Sequence, residues 1–62
     1  MTPLVFRIVP QDGAWCVEHE GRYSNRSRDR DEVIASATKL ARKSIDGGRP
    51  AQVRVEDGAG YH

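Results

Sequence analysis

The sequence predicts an α+β domain in the order β-β-α-β, with one helix packed on a three-stranded antiparallel sheet of strand order 2-1-3. Three observations predict it. Two apolar, β-branched runs flank a Pro10-Gln11-Asp12-Gly13 turn. One segment, opening at Asp29 and stopped by Gly47-Gly48, carries a helical apolar period. A last alternating run follows at residues 51–56. The chain has 62 residues, of which 13 are large and apolar, so it reads as one small domain, 1–62. Such a domain buries only about 60% of the surface its unfolded chain exposes, and its core is marginal.

The first strand is Leu4-Val5-Phe6-Arg7-Ile8-Val9. Leu4, Phe6 and Ile8 share one face, while Val5, Arg7 and Val9 share the other, so the run is apolar on much of both sides. That suits an interior strand. Pro10 pre-sets φ in the turn and Gly13 takes the positive-φ place. The second strand is Ala14–Glu20, with Trp15, Val17 and His19 on one face and Cys16, Glu18 and Glu20 on the other. Together the two make a hairpin. Residues 21–28 are polar and without period, and are expected to form a loop.

The helix starts at Asp29 as N-cap, with Glu32 as its reciprocal capping partner. Val33, Ile34, Ala37, Leu40, Ala41 and Ile45 cluster on one side of the helical wheel. Acid in the first turn and Arg42 and Lys43 near the end suit the helix dipole. Ala51-Gln52-Val53-Arg54-Val55-Glu56 alternates as the third strand, with Val53 and Val55 turned inward. Asp57-Gly58 signals a hairpin turn, after which residues 59–62 form a short fourth strand or a frayed tail. A helix between the second and third strands sets them in the same direction, and both antiparallel to a central first strand.

These residues carry a resemblance. Val9-Pro10-x-x-Gly13-x-Trp15-x-Val17, the Glu20-Gly21 step, the helix with Ala37 and Ala41, and Asp57-Gly58 resemble the pattern of small bacterial proteins grouped as domain of unknown function 2188. The likeness spans roughly residues 6–61. Cys16 stands where a small residue is usual in that pattern, and Asp29 where a threonine-type cap is usual. The resemblance implies a fold and no activity, so it supplies no catalytic residue.

Composition narrows the function classes. Ten Lys and Arg against nine Asp and Glu give a net charge of +1, which does not point to an acidic partner. The first ten residues are too broken for a secretion-signal core and no stretch reaches membrane-span length, so the expectation is a cytoplasmic protein. Cys16 is the one cysteine, so no disulfide closes within the chain. Cys16 and His19 lie three apart on a strand and point to opposite faces, so neither can activate the other or share a metal; no metal, cofactor or small-molecule substrate is expected. No acid/base pair has an enclosing pocket, and the chain reads as a non-enzyme.

Two surfaces remain as candidates. The sheet face away from the helix would show Val5, Arg7, Val9, Cys16 and Arg54, half apolar and uncovered, as the contact surface for a second copy or another protein. The alternative is a weak nucleic-acid contact through the Arg-rich loop, with Arg22, Arg26, Arg28 and Arg30 on phosphates and Tyr23 stacking on a base. Asp29 and Asp31 interrupt that basic patch, and strong nucleic-acid modules are more basic than this chain.

Overall fold

The computed structural model describes residues 2–56. Its elements are β1 (Leu4–Gln11), β2 (Ala14–His19), β3 (Arg22–Ser27), α1 (Arg30–Asp46) and β4 (Ala51–Val55). The four strands form one mixed sheet in the order β3-β2-β1-β4. β1 and β2 pair antiparallel, as do β2 and β3, whereas β4 runs parallel to β1. The α+β class, the helix and the central position of β1 agree with the sequence. The three-stranded antiparallel sheet does not, and the reason is a single strand. Residues 22–27 form β3, which turns the chain once more before the helix. That extra reversal flips the direction in which the last strand arrives, from antiparallel to parallel.

Local chemistry explains why β3 forms. Asp12 and Gly13, with φ of 50° and 79°, make a two-residue loop, and Glu20 and Gly21 repeat it with 51° and 82°. Positive φ at both central residues is the twisted turn that joins neighbouring strands without splaying them. Each loop closes on a paired residue on either side, Gln11 with Ala14 and His19 with Arg22. The β2–β3 register then slips by one residue: Trp15 faces Ser27 and Val17 faces Ser24, so β3 carries an extra residue. Asn25, at φ 55°, takes up the resulting bulge.

α1 begins as expected at Asp29, whose Oδ1 accepts from the Asp31 N–H at 2.9 Å. The reciprocal bond from Glu32 is replaced. The Asp29 N–H instead donates to Ser27 Oγ at 3.0 Å, a local turn that reaches the donor first. At the other end Gly48, at φ 91°, takes the left-handed position. Its N–H donates to Ile45 O, and the Arg49 N–H to Ser44 O, so the last carbonyls are satisfied.

The core lies between α1 and one sheet face, built of Phe6, Ile8, Val17, Val33, Ala37 and Ala41, with Trp15 and Val53 packed against it. Ile8 and Ala37 are wholly buried. The two alanines let the helix come close to the sheet. Leu40 and Ile45, expected inward, lie instead at the margins of that narrow stripe and are exposed. Val55 shares the helix face but sits on an edge strand and is also exposed. Among the described residues no helix is long and apolar enough to cross a membrane. The predicted fourth-strand stub at 59–62 lies outside the described residues.

Candidate functional site: the open sheet face

Alternation along the strands sends Val5, Arg7, Val9, Glu18 and Arg54 to the face away from α1. The cross-strand registers line up Tyr23, Glu18, Arg7 and Arg54 in one row over all four strands. Arg7 organises that row. Its Nε and Nη2 donate to the Glu56 carboxylate at 2.6 and 2.7 Å, and its Nη1 donates to Glu18 Oε1 at 2.8 Å. The Glu56 pair is a two-pronged fork, the geometry a guanidinium matches best. The Gly21 N–H also donates to Glu18, at 2.8 Å.

The carboxylates respond to these partners. Glu18 is held below the usual carboxylate range, first by the Gly21 N–H and then by Arg7. Glu56 is lowered chiefly by its hydrogen bonds from Arg7, with Arg54 adding a smaller attraction. Arg7 is raised above its ordinary value by the same two acids, Glu56 first. Glu18 in the row and Glu56 beyond it are therefore both committed to Arg7. Arg54 and Tyr23, the latter 57% exposed, make no hydrogen bond or ion pair through their side chains among the described residues.

Of the five predicted face residues, Arg54 is exposed, and Val5, Arg7 and Val9 are half-buried. Cys16 is a correction. It belongs to this side of the sheet, yet it is 1% exposed, hemmed in beside Val9 with Gln11 Oε1 at 3.5 Å from its Sγ. It packs as a small apolar group and offers no contact surface.

The predicted basic loop is not a loop, and its members do not converge. Arg22, Tyr23 and Arg26 lie on β3. Register puts Arg22 on the helix side, opposite His19, and Tyr23 on the open side, opposite Glu18. Arg26 donates to the Asp12 carbonyl in the first turn at 3.2 Å. Arg28 lies in the connection to α1. Arg30, the first helical residue, sets its guanidinium carbon 5.6 Å from the centre of the Trp15 ring, a cation–π contact within the fold.

Near the start of β1 a cleft of about 360 Å³ is lined in part by Arg7, Glu18, His19, Glu20 and Arg49. His19 stacks on Phe6, with ring centres 4.5 Å apart, and its Nδ1 is 3.0 Å from the Val5 carbonyl. A carbonyl only accepts, so Nδ1 carries the proton of that bond. Its Nε2 lies 3.1 Å from Glu20 Oε2. Arg7, Glu18 and His19 thus satisfy partners within the cleft's own walls. No group of three or more His, Cys, Asp or Glu that could hold a metal occurs among the described residues.

No curated protein and no solved structure matches the chain. One family model does, described as an uncharacterized protein conserved in bacteria (DUF2188), and it matches residues 6–61. All but the first two residues of the hairpin, with the two-residue turns, the helix and β4, fall within that span, and the chain belongs to the DUF2188 family.

Proposed function

We propose that this chain is a non-enzymatic interaction module that binds an acidic segment of another protein on its open sheet face. The supporting observation is the row Tyr23–Glu18–Arg7–Arg54, in which Arg7 pairs with Glu18 and with the nearby Glu56, while the side chains of Arg54 and Tyr23 make no hydrogen bond or ion pair among the described residues. A guanidinium and a phenol beside the apolar Val5 and Val9 favour a partner that offers carboxylates next to an aliphatic side chain. Arg and Tyr are also the residue types that most often anchor protein interfaces. Both carboxylates of the face among the described residues, Glu18 and Glu56, are held by Arg7.

The test is an NMR titration of the isotope-labelled full chain with a peptide of alternating Glu and Leu. A short DNA duplex is titrated in parallel. Shifts grouped on Val5, Val9, Tyr23 and Arg54 are expected with the peptide. Arg54→Ala and Tyr23→Ala should each weaken binding at least about fivefold, the effect of losing ~1 kcal/mol at an anchor. No shifts on the face, or full affinity in both variants, would overturn the reading. Salt-reversible shifts over residues 22–30 with the duplex would put nucleic-acid binding in its place.

A further inference from the structure

We infer that the outer edge of β4 is a self-association surface, on which a second copy of this chain pairs its own β4 antiparallel about a two-fold axis through Val53. The inference concerns a different surface from the open face and stands without it. It starts from the phase of the β1–β4 ladder. The Leu4 N–H donates to Pro50 O at 3.0 Å and the Glu56 N–H to Ile8 O at 2.8 Å. With Leu4 beside Ala51 and Ile8 beside Val55, a parallel ladder engages residues 50, 52, 54 and 56 on the β1 side. The N–H and C=O groups of Ala51, Val53 and Val55 therefore point outward, where no strand among the described residues meets them.

The sheet's two edges are not equivalent. β3 is guarded by the devices that block strand addition: a bulge, a left-handed Asn25, and the charged Arg22 and Arg26. β4 has no bulge, no positive φ and no internal proline, and its Val55 is 44% exposed. Its sequence is also self-complementary. Turning a copy about Val53 puts Val53 opposite the partner's Val53 and Ala51 opposite the partner's Val55. All of these are residues with outward backbone groups, so every facing pair can bond twice. On the open face Arg54 then stands opposite the partner's Gln52, so no like charges face each other directly. On the helix face Val55 gains an apolar cover. The contact is smaller than the roughly 800 Å² per partner of a standard interface, so the dimer forms only at high concentration.

The experiment pairs sedimentation with amide hydrogen exchange on the full chain over a range of concentrations. The expected mass moves from 6.9 kDa toward twice that value as concentration rises, and the amides of Ala51, Val53 and Val55 become protected over the same range. Val55→Pro removes an outward N–H that β1 does not use, so the variant should stay folded and monomeric. Should it fail to fold, Val55→Lys places a charge at the same exposed position and should also stay monomeric. Tyr23→Ala, on the open face, should dimerise like the parent chain. Three results would overturn the inference. They are a monomer at every concentration, association that leaves the three amides unprotected, and protection independent of concentration, which would assign the edge to residues 57–62 of the same chain.

Discussion

Arg7 draws together two carboxylates, Glu18 from β2 on one side and Glu56 just past the end of β4 on the other, and both respond to acid. Glu18 and Glu56 both titrate below their ordinary range in the folded chain. A depressed carboxylate stabilises the fold at any pH above its unfolded value, and that contribution disappears as pH falls through the folded value. Acidification from pH 7 toward pH 3 should therefore lower the urea midpoint. Arg7→Gln should lower the midpoint at pH 7 and show a smaller further drop on acidification, because one of the causes at Glu18 and the main cause at Glu56 are gone. An identical acid drop in both proteins would show that the network does not carry the pH dependence. Part of this site is legible in the sequence: alternation alone puts Arg7 and Glu18 on the same side of two neighbouring strands, although their direct pairing follows from the two-residue Asp12-Gly13 loop. Glu56 is not, since it reaches Arg7 only when β4 lies parallel to β1 and brings Arg54 alongside. Cys16 misleads for a related reason, because strand alternation gives the side of the sheet but not how closely neighbours fill it.

At the scale of elements, the sequence speaks clearly where apolar period and local chemistry agree. β1, β2, α1 and β4 all satisfy both, and their bounds fall close to the predicted ones. β3 satisfies only the second. Arg22-Tyr23-Ser24-Asn25-Arg26-Ser27 has no apolar alternation, because an edge strand with five exposed residues buries almost nothing. The signal that does mark it is Glu20-Gly21, an acid-glycine pair eight residues after Asp12-Gly13, which builds the same two-residue turn. Gly21 has no heavy atom within 4 Å of an added Cβ, so Gly21→Ala tests backbone strain alone. At φ 82° the variant should lose about 1 kcal/mol, measured by denaturant unfolding. An unchanged midpoint would mean the turn relaxes without cost. Asp29→Ala should cost a similar ~1 kcal/mol through loss of the N-cap bond to Asp31. Ala37→Leu works the other way: it forces bulk into a wholly buried site between helix and sheet, and should cost ~1–3 kcal/mol.

Across the whole molecule, one extra strand decides the topology, and it also divides the contacts by distance along the chain. The β1–β2–β3 meander is joined by two-residue turns, so its pairs close cheaply. The β1–β4 pairing joins the two ends of the chain, as the 49-residue separation of Arg7 and Glu56 illustrates, and waits for α1 to carry β4 across the sheet. Parallel pairing of this kind is the slower contact to form. The meander, with α1 on it, is therefore expected to be the structured part of the folding transition state, and β4 to dock afterwards. Two substitutions of similar cost separate these stages. Gly21→Ala acts in the second turn of the meander and should slow folding by most of its effect. Val53→Ala trims a half-buried β4 side chain, should cost about 1 kcal/mol, and should appear mainly as faster unfolding. Stopped-flow folding and unfolding at several urea concentrations reads both, at protein concentrations low enough to keep the β4 edge unpaired. If Val53→Ala slowed folding as much as it destabilised the chain, the β1–β4 pair would belong to the nucleus, and the long closure would come before the meander is complete.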